Sequence, residues 1–529
     1  MRRNAIVAGT AALLLSASAA RAHDEHAGHH MVGQVAFANS CAPAAQEPLL
    51  QGVAMLHSFW YGAGEQSFRE ALAKDPGCGV ATWGIAALLM QNPLAGIGPS
   101  PAEAARAQEA IALGRRIGAG TPRERDYIEA VAAYYEDWAA RPERQRQESR
   151  AKAFEALAAR YPDDDEAQIF SALYIAGTQS QADQSYAAYA RAAAILEPQF
   201  ARHPDHPGVA HYLIHVYDAP PLAAQGLQAA RRYAAIAPDA PHALHMPSHI
   251  FTRVGAWPES AATNQRSFEV AVRAGDRAEA YHASDYAVYA DLQMARDEAA
   301  RAAIAAVFQV QVTGASPPAW AYAAAAMPSR YALERGDWRG AMALGPAPGT
   351  LPYAQAQRSF ARGLGAARAG EVEAAGRAAA ELAQQRTALV EAGNAYWARE
   401  VEVQQHVLAA WIAQAEGRTA PAIAEMRQAA DLEDRSEKHI VTPGRMLPAR
   451  ELLGDMLVAA GRPADALTEY ERSQQREPNR FRGLSGAAQA AEAAGDRDKA
   501  ALYYGRLLTL AAEGQDRPEL ARARAFLAR

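Results

Sequence analysis

"LLGDMLVAAGRPADALTEYERSQQREP", residues 452–478, is the stretch that decides the fold. Its landmarks recur downstream at one fixed interval: Gly461 is followed by Gly495, Ala466 by Ala500 and Tyr470 by Tyr504. That interval is the period of a helix-hairpin repeat, roughly 34 residues. The segment "GAAQAAEAAGDRDKAALYYGRLL" at 486–508 is a second copy. Each copy reads as two helices joined at the glycine. Small residues such as Gly454 and Ala466 let the two helices approach, the tyrosine fills the gap to the next unit, and Pro478 closes the repeat. A single hairpin of this kind leaves one apolar face uncovered, so successive copies must stack.

The same G-x-x-x-x-A spacing appears upstream at Gly336/Ala341, Gly370/Ala375 and Gly417/Ala422, the first two again one repeat apart. Near the start, "FREALAKDP" ends a unit at Pro76 and Trp83-Gly84 opens the next. Hairpins can be read from about Gln46 onward, with poorer matches between Pro101 and Gln199. The units resemble tetratricopeptide (TPR) repeats, so the expected fold is all-α, a TPR-type helix-hairpin solenoid coiled as a right-handed superhelix. Proline-rich breaks at Pro317-Pro318, 346–352 and 443–448 interrupt the stack without ending it. The last makes a long connection for such an array, long enough to lie across the concave surface. The expected division is a signal peptide at 1–22, a His-rich flexible segment at 23–45 and TPR-like hairpins at 46–200. Central His-rich repeats at 201–315, further hairpins at 316–440 and C-terminal TPR repeats at 441–529 follow.

Composition sets limits on function. Half of the 529 residues are apolar and 21% are charged, a folded chain rich in alanine and other helix formers. Arg2 and Arg3, an apolar stretch at 5–20 and Ala20-Arg21-Ala22 form the n-region, h-region and cleavage site of a secretory signal. The apolar pair expected after a twin arginine is poorly matched, so Sec export to a bacterial periplasm is the simpler expectation. No later segment reaches the roughly 18 uninterrupted apolar residues of a membrane span, which argues against integral membrane association. The formal charge is −6, with no basic tract carrying interleaved aromatics, so nucleic acid and anionic membrane surfaces are poor partners. The two cysteines, Cys41 and Cys78, are expected to pair as a disulfide in an oxidising compartment, with two buried thiols as the alternative.

Eleven of the fifteen histidines fall in two groups, a tail at His23, His26, His29 and His30 and a cluster of seven between His203 and His249. On the repeat frame, one unit begins at Pro207 and the next a full repeat later at Pro241, so His211 matches His245 and His215 matches His249. Each pair is spaced i, i+4 and projects from one helix face. His242 falls at position two of the first helix, His211 and His245 at five, His215 and His249 at nine and Asp218 at twelve, the positions that line the concave surface of TPR domains. A third unit framed from Tyr281 needs a six-residue insertion and places His282, Asp285 and Tyr289 on the same surface. Pro247 either kinks this helix or marks a late start that would leave His242 and His245 in a loop.

Neutral imidazole is the commonest ligand for zinc, copper, nickel and iron, so His211, His215, His245 and His249 are the candidate metal ligands, with His242, His282 and Tyr289 lining the groove. "HYLIH" and "HMPSH" lack the glutamate of H-E-x-x-H, which argues against a zincin-type protease. Asp218 and Asp285 are the candidate acid–base residues. The His tail is either a loose metal-capturing segment or solvated chain; cleavage after Ala20 would leave Arg-Ala-His, able to form a square-planar copper or nickel site. His57 in "LHSFWY" reads as part of an aromatic packing group, and His406 and His439 are isolated.

Beyond the generic repeat, four stretches carry a closer likeness: "LLQGVAMLHSFWYGAGEQSFREALAKDPGCGVATWGIA" at 49–86, "HPGVAHYLIHVYDAP" at 206–220, "APHALHMPSHIFTRVG" at 240–255 and "TPGRMLPARELLGDML" at 442–457. With these the chain resembles a family of exported bacterial TPR proteins, over nearly the whole mature sequence. The resemblance implies the fold and carries no activity. Three functions follow as expectations. One is a periplasmic scaffold whose His-lined concave groove takes a peptide, protein or small-molecule ligand with a divalent metal (Zn, Cu or Fe). Another is a metal-dependent hydrolase or oxygenase using the same His/Asp cluster. The third is a metal-free peptide- or protein-binding adaptor.

Overall fold

The protein is described by a computed structural model covering residues 30–312 and 317–529. The expected signal peptide and His23, His26 and His29 lie outside the described residues. Among the described residues every regular element is helical, and no strand occurs. The chain is an all-α, TPR-type solenoid of helix hairpins.

The hairpins are built as their sequence dictates. Many first helices open on proline at their N-terminus, as in Pro207–Tyr217, Pro318–Glu334 and Pro352–Arg368, where the missing N–H costs nothing and φ is already helical. Gly461 and Gly495 turn the chain at φ 71° and 82° with open space around them, so it is the left-handed backbone that calls for glycine there. Gly454 and Gly486 serve a different purpose. A Cβ on either would sit within 2.6 Å of the Tyr470 ring, which fills the gap between the helices Ala449–Ala459, Pro463–Arg476 and Phe481–Ala494. One apolar core runs through the N-terminal hairpins from Val32 to Phe251 and another through the C-terminal ones from Ala295 to Phe526. Cys41 and Cys78 form a disulfide, Cα–Cα 4.7 Å, which ties the leading segment to the loop after the helix Tyr61–Lys74.

The array closes on itself. Trp257 Nε1 donates to the carbonyl of Asn479 at 2.7 Å, Phe481 N donates to Gln293 Oε1 at 3.0 Å, and Gln515 N donates to the carbonyl of Ala295 at 2.7 Å. Arg480, fully buried, joins Glu451 at 2.7 Å, Glu334 at 2.8 Å and the hydroxyl of Tyr289. The C-terminal repeats therefore pack back onto the central ones.

The inner surface is filled by the chain's own connection, residues 434–448, between the helices Thr419–Glu433 and Ala449–Ala459. Tyr286 Oη donates toward the carbonyls of Ile440 at 3.2 Å and Thr442 at 3.0 Å. Arg330 reaches Thr442 Oγ1 at 2.7 Å and the carbonyls of Gly444 and Arg445 at 2.8 Å, while its Nε meets Asp285 at 3.1 Å. His439 Nδ1 accepts from Val441 N–H at 3.1 Å, so its Nε2–H donates to the carbonyl of Ala95 at 3.3 Å. A concave groove open along its length is thus not what the fold presents.

Two outcomes follow for stability. Arg330→Met strands Asp285 without a partner in a fully buried site and should cost about 3–5 kcal/mol in urea unfolding; a loss under about 1 kcal/mol would mean the segment is held by other contacts. Burial holds His439 down to about 4, against an ordinary 6.5. A depressed pKa in the folded state means its contribution is complete above pH 6.5 and disappears as pH falls toward 4. Between those limits His439→Gln should unfold with a shallower pH dependence than the parent chain; parallel curves would contradict the assignment.

A candidate metal centre of two histidine triads

Three successive first helices meet at the site. Pro207–Tyr217 begins under a cap in which His206 Nδ1 accepts from Val209 N–H, and it carries His211 and His215. The next is two short helices, Pro241–His245 and Pro247–Val254, with Met246 between them still in right-handed helical conformation. Pro247 therefore opens a second helical run without unwinding the first, and His242, His245 and His249 keep one face. Arg277–Gln293 starts at the Asp276 cap and carries His282.

These elements gather six imidazoles into two triads, His211/His215/His242 and His245/His249/His282, within each of which one donor atom per residue lies within 4.8 Å of the others. Five of the six are at most 7% exposed. His211 Nε2 lies 3.1 Å from His215 Nε2, and His245 Nε2 lies 3.0 Å from His249 Nε2. Rings also approach between triads, His242 to His245 at 5.7 Å and His215 to His249 at 5.9 Å between centroids.

The surroundings fix where the protons sit. His211 Nδ1 is 2.6 Å from the carbonyl of His57, which can only accept. His242 Nδ1 is 3.1 Å from Glu279 Oε2, and His249 Nδ1 is 2.8 Å from Asp218 Oδ2. His245 Nδ1 is 2.7 Å from Asn264 Oδ1, whose amide is oriented by its own donation to the carbonyl of Ser260. In its neutral form each of these four rings spends its single proton outward at Nδ1 and turns a bare Nε2 inward. His245 and His249 therefore point lone pairs at one another across 3.0 Å. Burial pushes His211, His215 and His245 well below the ordinary imidazole value. It also holds His249 down to about 4, against the pull of Asp218, and His282 to about 3. His242 Nε2 and His282 Nδ1 are buried with no hydrogen-bond partner. A cluster of neutral, inward-facing lone pairs with outward-facing N–H groups is the arrangement that receives a metal ion.

Phe59 and Tyr286 wall the cluster. Phe59, at φ 52°, sets its ring 4.5 Å from His211 and 5.6 Å from His242. A left-handed backbone at a bulky residue is strained, and here the strain places an aromatic wall. Tyr286 meets His245 edge-on at 4.7 Å. Beyond Phe59 a small, largely apolar space is bordered by Tyr61, Met90, Leu173 and Tyr174.

The candidate acid–base residues have other partners. Asp218 accepts from His249, from Arg253 at 2.7 Å and from Lys438 of the inner segment at 3.1 Å, so it orients a ring and carries a compensated charge. Asp285 is raised to about 6 by burial and faces Arg330, away from the histidines. Tyr289 packs on Trp257 and bonds Arg480, at the closing contact of the array and apart from the cluster.

Asn264 and Glu279, which orient the rings of His245 and His242, carry no signal in the repeat pattern. Neither lies at a groove-lining position of the repeat; Asn264 comes from the second helix of its hairpin, Trp257–Ala274. A further group, His57/Glu166/His206, also has metal-like spacing. Its lone pairs are already used: His57 Nε2 and His206 Nε2 bond the two oxygens of Glu166 at 2.8 and 3.0 Å, His57 Nδ1 meets Tyr212 Oη at 2.8 Å, and His206 Nδ1 caps a helix. That group is a satisfied network holding the first hairpin to the central repeats.

No family model and no curated protein matches the chain. Among solved structures, the APC/C hetero-tetramer Cut9-Hcn1 aligns at 10% identity and TM-score 0.30, covering 91% of this chain and 96% of that one. The human IFIT1 dimer with m7Gppp-AAAA aligns at 13% identity and TM-score 0.35, covering 78% and 87%. The same dimer with PPP-AAAA aligns at 13% identity and TM-score 0.34 over the same shares.

The proton placement is directly testable. Long-range ¹H–¹⁵N spectra of histidine-labelled apoprotein should show His211, His242, His245 and His249 protonated at Nδ1 and bare at Nε2. Nε2–H signals from His245 or His249 would contradict it.

Proposed function

We propose that this chain is an exported metal-binding scaffold whose central repeats hold a transition-metal ion on the histidine cluster. The observation that carries the reading is the set of four rings whose Nδ1–H groups are committed to the His57 carbonyl, Glu279, Asn264 and Asp218, leaving Nε2 donors converging inward. All donors are imidazoles, with no thiolate, which suits zinc, copper or iron rather than calcium or magnesium. Location in a bacterial periplasm is supported by the signal-like residues 1–22 and by the Cys41–Cys78 disulfide, since such bonds persist in oxidising compartments.

A second reading makes the same centre catalytic. It is favoured by the three-nitrogen triads, because a three-ligand ion keeps a position for water or substrate. It would have to find its acid–base group elsewhere than Asp218 and Asp285, both of which are already bonded to cations. The metal-free adaptor reading draws least support, because the chain's own residues 434–448 occupy the inner surface.

The test is metal content of the untagged chain with His23, His26, His29 and His30 replaced by alanine, which removes the tail as a source of binding. Zinc or copper should co-purify or bind more tightly than micromolar, and His211→Ala with His245→Ala should abolish it. Asn264→Leu, which removes one orienting acceptor, should weaken binding by about ten- to a hundredfold. Metal content indifferent to the cluster, or affinity no better than micromolar, overturns the proposal.

A further inference from the structure

We infer that the two triads are two metal positions, one ion each, and that they form a single two-ion centre. The inference rests on the metal-binding reading above and goes beyond it in number and arrangement.

The repeat itself builds the site twice. Each triad takes an i, i+4 pair from one first helix and a single histidine from the N-terminal half of the following first helix. His211 and His215 are completed by His242, and His245 and His249 by His282. The pairs are one repeat apart in sequence, and the completing residues are separated by one repeat plus the six-residue insertion. One step of the solenoid therefore carries the first site onto the second. A single ion sharing all six rings would not need this duplication, and the ring centroids within the pairs His211/His215 and His245/His249 lie 4.8 and 5.0 Å apart, closer than the His215–His249 and His242–His245 approaches between triads at 5.9 and 5.7 Å.

The two sites are also interlocked. Glu279, which orients His242 of the first triad, lies one turn before His282 of the second on the same helix. Asp218, which orients His249 of the second triad, follows directly on the helix that bears His211 and His215. Each triad thus takes an orienting carboxylate from the segment that supplies the other. With His242 and His245 rings 5.7 Å apart, ions in the two triads would be neighbours. Three nitrogen donors leave each ion with an open position.

The experiment uses the full chain with His23, His26, His29 and His30 replaced by alanine, loaded separately with Zn²⁺ and Cu²⁺. Two zinc ions per chain are expected, falling to one in His282→Ala and to one in His215→Ala. The doubly Cu²⁺-loaded parent should show a magnetically coupled or broadened EPR signal, and the His282→Ala chain an ordinary isolated one. One ion per chain, lost altogether when either triad is altered, overturns the two-ion centre while leaving metal binding intact. No bound ion overturns both readings. Two ions with independent EPR signals overturn the shared centre. The parent-chain stoichiometry and EPR need no variant, so a poorly folding substitution does not leave the matter undecided.

Discussion

Every hairpin in this chain has one apolar face that only its neighbour can cover, and that constraint sets the regular step between repeats. The step brings residues one repeat apart in sequence onto adjacent, roughly parallel helices. Around Pro207 and Pro241 it does this to histidines. What is chemically special about the middle of the molecule is thus an ordinary consequence of stacking, applied to residues that a packing surface does not require.

Stacking alone would leave buried imidazoles free to bond to one another or to water. The orienting partners narrow this: His215 Nε2–H can still donate to His211 Nε2 across 3.1 Å, but His245 and His249 have no proton left to share. A neutral ring has a single N–H, and once Asp218, Glu279, Asn264 and the His57 carbonyl have taken it, the remaining nitrogen can only accept. Burial discourages the charged form that would supply a second proton, as the depressed values at His249 and His282 show. Closure of the array and the segment at 434–448 then keep the cluster away from bulk water. Arg330 ties that segment to the helix of His282 through Asp285.

The fold was legible because its signals are local and periodic: glycine at the turn, alanine at the helix contact, tyrosine at the next interface. The clustering of the histidine pairs was legible for the same reason, since His211/His245 and His215/His249 obey the repeat. His282 could be placed only by assuming an insertion, and the structure brings it into the second triad. The contacts that escaped are those with no periodicity. Asn264 and Glu279 act through single hydrogen bonds, and His57 joins Glu166 and His206 from a distant part of the sequence. Tyr289 and Asp285 sit at expected repeat positions but are claimed by Arg480 and Arg330, residues whose approach depends on the array closing. The inner segment was recognisable as a long connection, yet what it would touch depends on the same closure.

The most direct test of the account is anomalous X-ray scattering from crystals of the zinc-soaked protein, collected on both sides of the zinc edge. Two peaks, one at Nε2 of His211 and His215 and one at Nε2 of His245 and His249, are the predicted result. Peaks confined to the surface or to His57, Glu166 and His206, with none at the triads, would contradict it.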